Sequence, residues 1–120
     1  AMAVLGRLEE AIQICRDVIA QDPSFALAYT TLGTSLSLAG RTAEAQEAYE
    51  RAVAIAPDEP LVHYNFACFW AIVGDEKRCE KHLSLALRLD PQSKSTAAVD
   101  DDFAPYRDRE WFQNIIALTR

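Results

Sequence analysis

The chain has 120 residues, half of them hydrophobic, and a formal net charge of −6 with an isoelectric point near 4.8. That length suits one domain with a shared core, and an acidic surface is repelled by phosphate backbones, which argues against nucleic acid or an anionic membrane as the main partner. No run approaches the ~20 apolar residues of a membrane span, and three cysteines without C-x-x-C spacing read as reduced thiols in a cytoplasmic setting, not as a disulfide frame or zinc site.

The opening Ala1-Met2-Ala3-Val4-Leu5-Gly6 lacks the basic flank and apolar run of a signal peptide. Ala1-Met2 reads as an expression scar, so the chain is expected to be a piece of a longer protein whose own targeting is left open. Apolar residues then recur at helical spacing over 7–20, 25–38, 42–55, 59–72 and 76–89, with few Gly or Pro inside. Ser24 and Asp58 are the expected N-caps, and Pro60 is tolerated in a first turn. In 25–38, Tyr29, Leu32, Gly33 and Leu36 take the 0, 3, 4, 7 spacing of one buried face; His63, Phe66, Ala67 and Trp70 do so in 59–72. Beyond Pro91 the pattern changes. A short helix over 92–99 capped by Ser93, an acidic break at Asp100-Asp101-Asp102 and a turn over 103–107 fixed by Pro105 are expected. Asp108 is then placed to cap a last helix over 109–119, with Trp111, Phe112, Ile115, Ile116 and Leu118 as its apolar stripe.

The elements repeat. Pro23, Pro57 and Pro91 recur every 34 residues, as do Gly6, Gly40 and Gly74. Ala11, Ala45 and Cys79 form a small-residue column, and Cys15, Tyr49 and Leu83 a bulkier one. Each Gly is expected where one helix stops and the chain reverses, because Gly tolerates the left-handed backbone this needs. Each Pro marks the end of the second helix, which its ring and missing N–H cannot continue. Small residues let the paired helices approach, and the larger ones interlock.

This period and punctuation resemble the tetratricopeptide repeat (TPR) family, as does the pattern of an aromatic, a Leu-Gly pair and a second aromatic on the first helix. His63 stands where a large aromatic is usual and Ala67 replaces the Gly, both compatible with packing. The resemblance implies an all-α fold, an α-solenoid of antiparallel helical hairpins with a C-terminal capping helix. It divides a single domain over 1–120 into the second helix of a partial repeat (6–23), full repeats over 24–57 and 58–91, and a cap over 92–120. The tail, from Asp102-Phe103 through Tyr106-Arg107-Asp108 to Phe112 and Ile115, is similar to one closing many bacterial TPR proteins.

The resemblance also implies a function: a non-catalytic module that binds a peptide or helix of a partner in a concave groove lined by first helices. The groove residues are then Leu27, Thr30, Thr31, Thr34 and Leu38 from one repeat and Leu61, Tyr64, Asn65, Cys68 and Ile72 from the next. Asn65 offers an acceptor and two donors to a peptide backbone, though it could equally stitch neighbouring helices. Asn65 matches the Asn of the carboxylate clamp in chaperone-binding TPR proteins, but Thr30, Thr34 and Leu61 are uncharged, which argues against that clamp. An alternative is structural self-assembly through the edge left open by the missing first helix, with Leu8, Ile12, Cys15 and Ile19 exposed there. The acidic run 100–102 lacks the alternating ligands and distal Glu of a calcium loop and reads as a solvated turn. Lys77, Arg78, Lys81, His82 and Arg88, interleaved with Glu76 and Glu80, read as a solvated outer face with His82 exposed. Cys68 and His63, five apart, do not share a helix line as an activated thiol needs. No catalytic residue, metal or cofactor is expected.

Overall fold

The computed structural model of the chain describes residues 2–117, with helices and turns and no strand among the described residues. Two compact units divide between Pro57 and Asp58, the position at which one 34-residue repeat is expected to end.

The first unit contains α1 (Met2–Gln21), α2 (Ala26–Leu38) and α3 (Thr42–Ile55), with α2 packed against both neighbours. Ile12 and Cys15 of α1, Leu32 and Leu36 of α2, and Ala45, Ala48, Tyr49 and Ala52 of α3 make its core. The tightest point is Gly33 against Tyr49. A Cβ on Gly33 would lie 2.8 Å from Cε2 of the Tyr49 ring, closer than two carbons can sit. The ring is fixed at its far end too, since the Tyr49 hydroxyl lies 2.7 Å from the Thr34 hydroxyl.

Two of the three column glycines do what the repeat demands. Gly40 after α2 has φ 82° and Gly74 after α4 has φ 97°, the left-handed backbone that lets a helix end and the chain reverse. Gly6 instead lies inside α1, which begins earlier than expected. The expected caps are also displaced. The Ser24 amide and hydroxyl both donate to Asp22 Oδ1 (3.2 and 2.8 Å), a closed turn, and α2 starts after Phe25 without a side-chain cap. Glu59, not Asp58, precedes the helix that Pro60 opens.

The second unit contains α4 (Pro60–Val73), α5 (Glu76–Leu89), a 3-10 turn Pro91–Ser93, α6 (Lys94–Val99), a 3-10 segment Asp101–Tyr106 and α7 (Glu110–Ile116). Asp75 caps α5 by accepting from the Arg78 amide at 3.1 Å. α4 packs on α5, the 101–106 segment lies on α4, and α7 lies on α5 and α6. Val62, Phe66, Phe69, Trp70, Cys79, Leu83, Ala86 and Leu87 fill the interior, and the tail adds Phe103 and Phe112, both fully buried with centroids 6.0 Å apart. Glu76 anchors the tail: one of its oxygens accepts from Arg109 Nε at 2.9 Å and from Trp111 Nε1 at 2.7 Å. α7 starts after Arg109 and not at an Asp108 cap, and Leu118 of the expected stripe lies outside the described residues.

One 34-residue step carries Gly33 to Ala67 and Tyr49 to Leu83, both fully buried. A Gly needed against a broad ring is thus an Ala where the partner column holds a slimmer Leu. Gly33→Ala should therefore destabilise the wild type by about 1–3 kcal/mol through overpacking. In a Tyr49→Leu background the same change should be neutral or stabilise by up to about 1 kcal/mol, the helix preference of Ala over Gly. Urea midpoints of the four chains in this double-mutant cycle measure both effects; equal costs in the two backgrounds would rule out the ring as the cause.

Candidate interaction site

On α2, Leu27, Thr31, Thr34 and Leu38 are exposed at helical spacing, Leu38 most of all at 66%. Thr30 departs from the expectation. It is only 1% exposed and donates its hydroxyl to the Leu27 carbonyl at 2.8 Å, so it does not line an open surface. The Thr31 hydroxyl donates to that carbonyl too, at 3.0 Å, and Thr34 to the Thr30 carbonyl at 3.1 Å. With its proton engaged, the exposed Thr31 hydroxyl presents acceptor lone pairs beside two leucines, whereas the Thr34 oxygen also meets the Tyr49 hydroxyl.

On α4, Leu61 is exposed and Ile72 is 61% exposed, while Tyr64, Asn65 and Cys68 are half-buried. Tyr64 and Cys68 are covered by the tail. The Tyr64 hydroxyl donates to Asp100 Oδ2 at 2.8 Å and its ring meets Phe103 edge-on at 5.7 Å. Cys68 lies beside the two carboxylates: one ligand-type atom from each of Cys68, Asp100 and Asp102 lies within 4.8 Å of the others. Both Asp100 oxygens are already used, Oδ2 by Tyr64 and Oδ1 by the Asp102 amide at 3.0 Å, so the cluster's own bonds account for its geometry. Burial, reinforced by the Asp100 and Asp102 charges, pushes the Cys68 thiol well above its ordinary value. That is the reverse of what a nucleophilic thiolate needs. Burial likewise raises the Tyr64 phenol and the Asp102 carboxyl. Asn65 is different: its amide makes no hydrogen bond among the described residues.

The expected edge of α1 is corrected by the structure. Ile12 (2% exposed) and Cys15 are buried, Leu8 and Ile19 half-buried, and this face packs towards α2. It is the strongest apolar stripe of the helix and goes to the neighbour that is present. Among the described side chains of α1, the large apolar ones left exposed are Val4, Leu5 and Ile14, the last 62% exposed.

His82 is likewise not on the outer face. It is buried, stacked on His63 with centroids 5.4 Å apart and with Nδ1 atoms separated by 3.1 Å, and it lies against Phe66. One Nδ1 must carry the proton and the other accept it, so the pair is satisfied only while one nitrogen is bare. Burial, then the neighbouring His63, lowers His82 from 6.5 to about 4. Between those values the unfolded chain binds the extra proton. The stabilisation from a neutral His82 is therefore complete above about pH 6.5 and lost as pH falls towards 4. The positions one repeat earlier are Tyr29 and Ala48. The double variant His63→Tyr, His82→Ala should lose on the order of 2 kcal/mol less than wild type between pH 7 and pH 4.5. Urea titrations at the two pH values measure this, and parallel losses in both chains would exclude the pair as the source.

Comparison with known proteins agrees with this architecture. The profile described as tetratricopeptide repeat matches residues 5–67. Two Hsp70-Hsp90 organising proteins of Plasmodium falciparum, one from isolate 3D7, are each 27% identical over 109 residues, 91% of this chain. The chain spans 42% and 19% of their lengths. The human protein O-mannosyl-transferase TMTC3 is 32% identical over 90 residues, 74% of this chain and 10% of its own. The solved structure of MamA MSR-1 C2 superposes with a TM-score of 0.63 at 25% identity, covering 72% of this chain and 50% of that one. Because the repeat profile covers more than half of its residues, the chain belongs to the tetratricopeptide repeat family.

Proposed function

We propose that this protein-interaction module holds a peptide or helical segment of another protein on the first helices of its two repeats. The contacts are Leu27, Thr31, Thr34 and Leu38 of α2, and Leu61, Asn65 and Ile72 of α4. Asn65 carries the reading: a half-buried amide without a hydrogen-bond partner among the described residues sits on the same helix as exposed Leu61 and Ile72. Such an amide can bond a ligand's backbone N–H and C=O, while leucines and isoleucine take its apolar side chains. Thr30, Tyr64 and Cys68, from the wider expected set, support the surface from beneath or under the tail. The module is non-catalytic, and its free Cys15, Cys68 and Cys79 suit a reducing compartment such as the cytoplasm. The Plasmodium relatives are named for Hsp70 and Hsp90, but uncharged Thr34 and Leu61 leave a clamped carboxylate without cations, so the partner proposed here is bound through apolar groups and backbone.

A photo-crosslinker placed at Leu38 or Ile72 should capture the same partner from source-cell lysate, whereas one at Gln46 should not. Asn65→Ala should weaken retention of that partner roughly tenfold, the equivalent of one or two neutral hydrogen bonds. Capture through Gln46 alone would move the working surface off the first helices.

A second reading, self-assembly through α1, rests on the exposed Val4, Leu5 and Ile14. Sedimentation should then show concentration-dependent association that Ile14→Glu abolishes. A monomer at millimolar concentration removes this reading without touching the first.

A further inference from the structure

The structure sorts the charges of α5 in a way their sequence order conceals. Glu76 is held by Arg109 and Trp111 of the tail. Arg78 lies over the Trp70 ring at 4.8 Å and beside Asp75. His82 is buried against His63. Glu80 and Ser84 are half-buried, and the exposed charges that remain are Lys77, Lys81 and Arg88; with Ser84 these lie at steps of four, three and four, on one line of the helix. Lys77, Lys81 and Arg88 form no ion pair among the described residues.

This line is the floor of two furrows that meet at Ser84 and Arg88. One, of about 360 Å³, runs along α5 past Lys77 and Lys81, with Glu80 the only acid lining either furrow among the described residues. The other, of about 550 Å³, lies between α5, α6 and α7. Its lining includes the apolar Leu87, Pro91 and Ile115 and the cationic Arg88 and Lys94. Lys94 is held at the rim by donating to the Ala117 carbonyl at 3.1 Å. The positions of the α5 line one repeat earlier, on α3, are Ala43, Glu47, Glu50 and Ala54. The basic line is thus not part of the repeat template; the equivalent line is acidic.

We propose that this furrow is a docking site for an acidic, extended peptide segment of a partner protein that carries apolar residues between its carboxylates. Lys77 to Arg88 spans eleven helical steps, about 16 Å, which matches some five residues of extended chain. Alternate residues of such a chain recur about every 6.6 Å, close to the ~6 Å rise between Lys77 and Lys81, so two alternate carboxylates meet these two lysines, and Arg88 lies about 10.5 Å further along the helix for a later one. The intervening apolar side chains have the Leu87, Pro91 and Ile115 wall to fill. Arg88 supplies bidentate bonding to a carboxylate, and Lys77 and Lys81 supply point charges. A long polyanion is disfavoured: the protein carries −6 overall, and among the described residues no aromatic ring lines either furrow on which a base could stack.

The test is fluorescence anisotropy with a labelled, acetylated octapeptide of alternating Glu and Leu, using the full chain at low and at physiological salt. Saturable binding that tightens as salt falls is expected. The variant Lys81→Glu, Arg88→Glu changes only exposed positions, so circular dichroism should show it folded, and its affinity should drop at least tenfold. The matching peptide with Gln for Glu should bind at least tenfold more weakly than the acidic one. Amide shifts in the labelled protein should fall on α5, α6 and α7. Equal binding by the charge-reversed variant, shifts confined to other helices, or no saturation at millimolar peptide would overturn the proposal. Competition by inorganic phosphate at matched charge, or tighter binding to phosphatidylserine vesicles, would overturn it in favour of a surface that reads charge alone.

Discussion

Two antiparallel helices can share a core only if their backbones come close enough to exclude water along the whole seam, and in this chain one contact sets that distance. Gly33 meets the face of the Tyr49 ring where even a methyl group would collide, and the ring's hydroxyl reaches back to Thr34 on the same helix. A broad, flat side chain is thereby clamped at both ends by α2. Its orientation fixes the rotation of α3, and hence which of the α3 residues turn outward. The second unit reaches the same end with Ala67 and Leu83. Packing density is satisfied by the sum of the two columns, not by either alone.

Once a hairpin is shut in one rotation, its charges have no freedom of place. α5 shows the consequence most clearly. Cys79, Leu83 and Ala86 face inward, so residues a third of a turn to either side become joints and those opposite become surface. Glu76 lands on the tail side and Arg78 on the Trp70 side. His82 falls close enough to the core that its ring must be neutral, which the neighbouring His63 nitrogen allows. An interleaved string of opposite charges becomes an outer line of cations by subtraction. Coulomb attraction among the exposed groups did not arrange it; apolar packing on the other side did.

Much of this was legible in the sequence because local periodicity and punctuation are local physics. The helices expected over 42–55 and 76–89 have those bounds in the structure, and the division between the units falls between Pro57 and Asp58. What could not be read depends on pairing between distant residues. The stripe of Leu8, Ile12, Cys15 and Ile19 says that α1 buries one side, but not against which neighbour. Gly6 carries the spacing of a turn yet lies within a helix, since a Gly permits a reversal without compelling one. His82 looked like one more polar residue of an outer face, and only the partner nineteen positions away explains its burial. Tyr64 and Cys68 had the right helical spacing for an open surface, but the hydroxyl is claimed by a carboxylate thirty-six positions later.

That last pairing changes what the tail is for. A terminal element of a repeat stack has to bury the final apolar face, and Phe103 and Phe112 do so. The same segment also brings Asp100 and Asp102 down on α4, where Asp100 accepts from the Tyr64 hydroxyl and both carboxylates lie close to Cys68; burial first, then these charges, keeps both side chains protonated. The Tyr64 donor is therefore spent on the chain itself, and Cys68 is covered beside it. Trp70 Nε1 is unbonded but buried, so among the described residues this leaves Asn65 as the half-exposed polar group of α4 with its bonding capacity intact, between Leu61 and Ile72. The tail thus ends the fold and, by the same contacts, narrows the chemistry that α4 presents to one amide set among apolar side chains.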